Sequence, residues 1–306
     1  MPALTPDRLD EFMALAFTRP PTADRRASLM ERLQDPDFAS RRRYVAGADG
    51  SIVSATWLSR DTTHTYTLVP PRSAGPIDPH GAIVIEEAVA VAKQLGAHKV
   101  ALRMPELQCT EAVVAACARS GAAPGPGRVE FEALLADLPL PAPTDSERLS
   151  FVPAPDEATA AAVLARTAVA SPNGLEPGET AEAVIRQILS RPHRTTRLPD
   201  VLHLGRRPGV SEPIAMVCAQ IDPDDGWSTI TYLSLDPQVR GQGLGSVVHR
   251  HGLAMLRAQG GRLYRGGTSL TNLPMRGCFA RQGVPEVARY REFTWTFSPV
   301  PPHGSS

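Results

Sequence analysis

Apolar residues recur at helical spacing between Ala82 and Leu95. Val84, Ala88, Val91 and Leu95 form one stripe, while Glu86, Glu87 and Lys93 lie off it. The pattern predicts a helix that stops at Gly96. Lys99-Val-Ala-Leu-Arg103 then reads as a short buried strand, and Thr110 to Arg119 as a second helix ending at Ser120-Gly121. Val129 to Leu135 reads as a closing strand. The same succession returns later in the chain. A helix from Leu244 to Gln259 stops at Gly260-Gly261, and Arg262 to Tyr264 reads as a strand. A helix around Pro274 to Arg281 ends at Gln282-Gly283, and Tyr290 to Phe297 alternates as a strand does. The interval from helix-ending glycine to Glu-Phe pair is the same in both stretches, Gly121 to Glu130-Phe131 and Gly283 to Glu292-Phe293. Four elements in one order, twice, predict a duplicated module.

Upstream, each half opens with a strand-like piece and helices, followed by a predicted hairpin. The first joins Tyr44-Val45 to Ile52–Leu58 about Asp49-Gly50, and the second joins Val201–Leu204 to Ile214–Ala219 about Pro208-Gly209. Mixed strands and helices of this kind predict an α/β layer fold. Between the halves, Leu138-Pro-Leu-Pro-Ala-Pro143 places three prolines in a short stretch, which predicts an extended connector. The expected division is a first domain at 1–138, a linker at 139–148, a second domain at 149–298 and a frayed proline-rich tail at 299–306.

Composition narrows the function classes. The 306 residues carry 32 basic and 32 acidic side chains, a formal charge of zero, which argues against a generic nucleic-acid or membrane-surface binder. All but two of the basic residues, Lys93 and Lys99, are arginine. No run approaches the ~20 apolar residues of a membrane span, and the charged N-terminal stretch does not resemble a signal peptide. Cys109, Cys117, Cys218 and Cys278 show neither zinc nor disulfide spacing. Reduced thiols and a cytoplasmic location are the expectation, with no metal.

The sharpest chemical signal runs from Thr229 to Gly245. A β-rich segment ends at Leu235-Asp236-Pro237, and a turn with glycines at 241, 243 and 245 feeds directly into the helix that begins at Leu244. Glycines let the backbone approach a ligand closely, and the amides of a helix's first turn point outward with its positive end behind them. Arg240 adds a charge at the expected mouth. The arrangement suits a phosphate or diphosphate. The Gly-Lys-Ser/Thr of a P-loop is absent, and the glycine spacing differs from that of a dinucleotide fingerprint. A glycine-rich turn without a ligand is the alternative reading.

Arg240-x-x-Gly243-x-Gly245, preceded by Leu235-Asp236-Pro237, resembles the acyl-CoA motif of the GNAT (GCN5-related) N-acetyltransferases, Arg/Gln-x-x-Gly-x-Gly/Ala. Asn272, upstream of Gly283, is similar to the family's later segment. The resemblance covers most of 150–297. The first half resembles the family only in architecture, since Ser73-Ala-Gly-Pro-Ile-Asp-Pro-His80 stands where its glycine motif would fall. The implied fold is two GNAT-like domains, each a mixed, mostly antiparallel twisted sheet flanked by helices, with a degenerate N-terminal copy.

The resemblance implies acetyl-CoA, or another acyl-CoA, as co-substrate, with direct attack by an amine in a ternary complex. Amides of Val239 to Gly245 would hold the diphosphate, and the strand edge from Tyr232 to Leu235 would pair with pantetheine. The implied cofactor-binding positions are Leu233, Leu235, Val239, Arg240, Gly241, Gln242, Gly243, Leu244, Gly245, Asn272 and Phe279. Where the family places its tyrosine acid the chain has Phe279, which has no proton to give. Tyr232, Ser269 and Tyr290 are the catalytic candidates, with Tyr264 a further donor; unassisted loss of the thiolate is the alternative. Asp222, Asp224 and Asp225 are turn residues by composition and candidate bases. Asn272 has a second reading as a helix N-cap before Pro274. His251 reads as a core residue of the helix from Leu244.

The expected acceptor is a small-molecule amine, in a pocket shaped by helices between Asp156 and Arg191. That region mixes Glu157, Glu176, Glu179 and Glu182 with Arg166, Arg186 and Arg191, so charge alone selects no substrate. A protein N-terminal or lysine acetyltransferase and a non-catalytic acyl-CoA sensor or scaffold remain alternatives. The assembly is expected to be a monomer or homodimer.

Overall fold

A computed structural model describes residues 41–46, 51–60, 64–73, 80–139, 141–171, 174–175, 179–189, 197–221 and 227–298, with isolated positions before residue 41. The chain forms two compact units. One comprises 1–127 with 289–306, the other 128–288.

The first unit contains strands β1 (Arg42–Ala46), β2 (Ile52–Arg60), β3 (Thr65–Leu68) and β4 (Arg72–Ser73). Helix α1 (His80–Gln94), β5 (Lys99–Pro105), helix α2 (Glu111–Arg119) and β6 (Ala123–Pro124) follow. Strand β1 pairs antiparallel with β2, and β2 with β3, while β3 runs parallel to β5. The stripe read from sequence is the buried face of α1, where Val84, Ile85 and Ala88 are fully enclosed. Ile85 and Ala88 meet Leu58, Leu68, Val100, Leu102 and Val113 in one apolar core.

The second unit begins with β7 (Arg128–Leu134) and a short helix α3 (Pro143–Arg148). Strand β8 (Ser150–Pro153), helices α4 (Glu157–Thr167), α5 (Ala181–Leu189) and α6 (Leu198–Val201), and strands β9 (Leu202–Arg206), β10 (Pro213–Ile221) and β11 (Trp227–Leu235) come next. Helix α7 (Leu244–Ala258), β12 (Leu263–Ser269) and helix α8 (Leu273–Arg281) complete it, before β13 (Glu286–Thr296). Strands β8, β9, β10 and β11 are successive antiparallel neighbours. Residues Ala215 to Gln220 of β10 are all buried, because the sheet is covered on both faces. One face packs on α7 and α8 through Val217, Ala219, Val247 and Leu253. The other packs on α4 and α5 through Met216, Cys218, Leu164 and Ile185.

The repeat read from sequence has matching lengths. Helices α1 and α7 each span 15 residues, β5 and β12 each 7, and α2 and α8 each 9. Their helix ends match too. After α2, Gly121 N–H donates to Ala118 and Ala122 N–H to Cys117; after α8, Gly283 N–H donates to Ala280 and Val284 N–H to Phe279. This is a Schellman cap, closed by a glycine at positive φ (87° and 71°).

The closing strands are placed differently from the expectation. Strand β7, read as the end of the first domain, pairs along its whole length with β12. Residues Tyr290–Thr296 of β13, read as the end of the second, pair with β5 of the first unit. The division at 1–138 and 149–298 is therefore corrected. Local patterning identifies a strand but not its neighbour, because alternation is satisfied by any sheet with a matching apolar face. At the expected linker, Leu138 and Ala142 are extended, while 143–148 is helical with Pro143 at its first position. The turn at Asp49-Gly50, residues 74–79 and the tail at 299–306 lie outside the described residues.

Candidate functional site

The β11–α7 connection is built from the strand end inward. Asp236 Oδ1 accepts from Gln238 N–H (3.0 Å), and its Oδ2 accepts from Arg166 Nε (3.1 Å), so Asp236-Pro237 turns the chain into a single 3-10 turn, Pro237–Val239. Val239 and Leu244 tuck into the core. Between them Gly241 and Gly243 take positive φ (77° and 74°), and Gly243 caps α7 in the left-handed region. The N–H groups of Gly243, Leu244, Gly245 and Ser246 meet no acceptor among the described residues. They are the orphan donors of a helix start, presented together at the positive end of its dipole.

Strand β11 leaves its neighbour beside this turn. It runs parallel to β12 only over Trp227↔Leu263 and Ser228↔Tyr264, whereas it stays paired with β10 to Leu235. Its register with β10 shifts between Cys218↔Tyr232 and Ala219↔Ile230, so Thr231 is an extra residue in β11. Thr231 Oγ1 donates to Gln220 Oε1 (2.8 Å), and Gln220 Nε2 donates to the Ile188 carbonyl at the end of α5 (3.3 Å). The bulge is thus fixed to the helical layer on that face. Leu233 and Leu235 lie on the α7 face, half-buried, and Tyr232 lies half-buried against the α4–α5 core. Burial pushes the Tyr232 phenol above its usual range, Glu179 adds to that, and Arg240 opposes it.

Several expected site residues have other occupations. Arg240 does not project from the mouth. Its guanidinium donates to the carbonyls of Leu235 (3.1 Å), Thr167, Val169 and Ala170 (each 2.8 Å), binding the end of α4 to the end of β11. It secures Ala170, a non-glycine residue at φ 50°. Asn272 Oδ1 accepts from Met275 N–H (3.2 Å), the N-cap alternative. Phe279 is 1% exposed and stacks on Phe131 with centroids 4.1 Å apart, so its ring is a core contact. Ser269 Oγ pairs with Thr271 Oγ1 (2.8 Å) and accepts from Thr271 N–H. Tyr264 is buried with its hydroxyl 2.9 Å from His249 Nε2. Tyr290 sits in the first unit's sheet opposite Pro105. Asp222, Asp224, Asp225, Glu176 and Arg191 lie outside the described residues.

The core histidine of α7 is His249, fully buried, where burial and Arg250 lower the imidazole to about 3. His251, expected in that role, is half-buried, stacks on Phe151 (3.8 Å) and meets His203 Nδ1 at 2.9 Å. The 3.6-residue period puts His249 with Val248 and Leu256 on the inward face. Sequence reasoning missed Arg148, whose Nη2 donates to the Gln242 carbonyl (2.5 Å), and Arg207, whose Nη2 donates to Gln242 Oε1 (2.8 Å). It also missed Arg281, whose Nε donates to Ser246 Oγ (3.1 Å). These contacts join positions far apart in the chain, and no local pattern announces them.

All four cysteines are free thiols, and among the described residues no group of His, Cys, Asp or Glu gathers as a metal site. No described helix is long and apolar enough to cross a membrane.

Comparison with known proteins agrees with this geometry. The family described as "Acetyltransferase (GNAT) family" matches residues 176–284. No curated protein matches the chain. A GCN5-related N-acetyltransferase from Sphaerobacter thermophilus is similar in structure (TM-score 0.68, 15% identity), covering 97% of this chain and 95% of that one. A tandem GNAT protein from the clavulanic acid biosynthesis pathway gives a TM-score of 0.57 at 16% identity, over 96% and 95% of the two chains. A GCN5-related N-acetyltransferase from Kribbella flavida gives 0.51 at 15% identity, over 90% and 96%. The glycine turn, the orphan amides and the parting strands all fall inside the matched segment, so residues 176–284 form the part of the chain that matches the GNAT acetyltransferase family.

Proposed function

We propose that the second unit transfers the acetyl group of acetyl-CoA to a primary amine of a small molecule, by direct attack within a ternary complex. The observation that carries this reading is the set of N–H groups at 243–246 that meet no acceptor among the described residues, beside the edge of β11 that β12 leaves after Ser228. The amides receive the diphosphate. The exposed edge of β11 takes the pantetheine amides as an added strand. The bulge at Thr231 turns the strand locally, which aims a backbone N–H at the thioester oxygen, where negative charge develops as the amine attacks.

The attacking nitrogen needs its lone pair, so an ammonium must lose a proton before the carbon–nitrogen bond forms. Glu179, close enough to act on the Tyr232 phenol, supplies a negative charge that draws an ammonium to the strand. Tyr232 is held in its protonated form and serves as donor to the departing thiolate rather than as base. The α4–α5 layer, with Glu179 at its edge, forms the acceptor side. A peptide N-terminus or lysine is the competing acceptor.

A sensor that binds acyl-CoA without turnover is favoured by one observation, the core-buried phenyl ring at Phe279. Calorimetric titration with acetyl-CoA, followed by thiol release across an amine panel, separates the readings. Binding with amine-dependent release of CoA supports transfer, and binding without release across the panel supports the sensor. In parallel, Gly243→Trp places a large side chain on a residue at φ 74° in the loop. Retention of full CoA affinity in a folded Gly243→Trp protein would remove the loop assignment.

A further inference from the structure

Among the described arginines of the second unit, Arg166, Arg197, Arg250, Arg265 and Arg276 each meet a carboxylate: Glu212 and Asp236, Asp200, Asp145, Glu132, and Glu286 respectively. Arg148 and Arg207 meet none among the described residues, although both are exposed and both reach the same loop residue, Gln242. Arg281 behaves alike on the far flank of the helix start, at Ser246 Oγ. Arg148 also acts on Asp145 through space, but that carboxylate is taken up by Arg250. Two guanidiniums gathered at one residue beside a helix's positive end thus leave a local positive excess that attracts an anion.

Arg148 is also positioned rather than free. Helix α3 carries it, and Asp145 of the same helix accepts two hydrogen bonds from Arg250 of α7 (2.7 and 2.5 Å) and one from Ala142 N–H (2.9 Å). The Arg250 hydrogen bonds hold the Asp145 carboxyl below the usual range, so the anchor stays ionised at neutral pH. The bond from Arg148 to the Gln242 carbonyl fixes that peptide plane, and the trans peptide then turns the Gly243 N–H to the opposite side, toward the loop's donor set.

We propose that Arg148 and Arg207 form a site for the 3′-phosphate of CoA, making the protein selective for CoA thioesters over thioesters carried on phosphopantetheine alone. This rests on the acyl-CoA reading above. The charge count favours it. Each phosphorus of the diphosphate carries one negative charge, which suits neutral amides and a helix end. A terminal phosphate monoester carries close to two, and two guanidiniums match it in charge and in fork geometry.

The test compares acetyl-CoA with acetyl-3′-dephospho-CoA on the full chain, for the natural protein and for Arg148→Ala, Arg207→Ala and the double variant. Affinity is read by calorimetry, and thermal unfolding checks that each variant is folded. The natural protein is expected to prefer acetyl-CoA by roughly 10–100-fold, the span of a lost charged hydrogen bond. Each single variant reduces that preference and the double variant brings it close to one. Equal binding of both donors by the natural protein overturns the phosphate site while leaving the acyl-CoA reading intact. Failure to bind either donor overturns both. Variants that weaken the two donors equally, with the preference preserved, assign the arginines to loop support and also overturn the site.

Discussion

Helices α1 and α7 are the same length, follow a similar place in their units and end in the same way, yet only α7 begins with a glycine-rich turn. The difference separates what holds the fold from what makes a site. In both units the fold rests on an apolar helix face, a following buried strand and a glycine cap. The site proposed for the second unit rests on a few residues before α7, beside four amides that meet no acceptor among the described residues. Such residues contribute little to the core, so one copy can lose them and keep its architecture. The corresponding residues of the two helices make the point locally. The ninth residue is Ala88 in α1, fully buried, and Gly252 in α7, where an added methyl would lie 2.7 Å from Ile230 Cδ1. Helix α7 therefore lies closer to its sheet at that point than a side chain allows.

The largest expected effect breaks the feature most easily mistaken for a ligand contact. Arg240→Glu removes four carbonyl hydrogen bonds and sets a negative charge among those carbonyls, and should cost about 4 kcal/mol of stability. Chemical denaturation measures it. A variant as stable as the natural protein, but without CoA affinity, would return Arg240 to the binding site. Gly252→Val should cost about 2–3 kcal/mol through overpacking against Ile230 and Val217. Its thermal unfolding checks the close approach of α7, and an unchanged midpoint would contradict it.

Phe279→Tyr asks whether the family's usual tyrosine can be restored. The ring is enclosed by Phe131, His249 and Tyr264, so a new hydroxyl should cost about 1–2 kcal/mol and leave kcat unimproved. A raised kcat would place that ring edge at the reacting atoms. The smallest effect sharpens the contrast between the two cores. Folding lowers the His249 imidazole from near 6.5 to about 3, so the unfolded chain binds the extra proton between those values. The resulting stability is present above pH 6.5 and is lost as pH falls toward 3. About 1 kcal/mol should disappear between pH 7 and pH 5.5, and His249→Gln should flatten that limb of the stability profile.

Much of this molecule was legible from one sequence. The helix stripes, the stopping glycines and the strand before Asp236 are local patterns, and each has its counterpart in the structure at nearly the expected bounds. The turn at 241–245 was legible because its positive φ values demand glycine. What the pattern could not carry was partnership. Alternation along Val129–Leu135 says that one face is buried but not in which sheet, and the strand joined β12. Arg240 stands within a ligand motif, yet its fork found carbonyls of α4 instead of solvent. Arg148 looked like part of a polar connector because its contact, Gln242, is distant in the chain. The His249–His251 reading shows the same weakness on a smaller scale, since neighbouring helix positions differ by only part of a turn.

The crossed assignment of closing strands has a consequence for biosynthesis. Residues 289–296 are translated after the whole of the second unit, yet they supply the neighbour that β5 requires. The first unit therefore keeps an open edge at β5 until all of 128–288 has been translated, and a chain cut short before residue 289 lacks that strand.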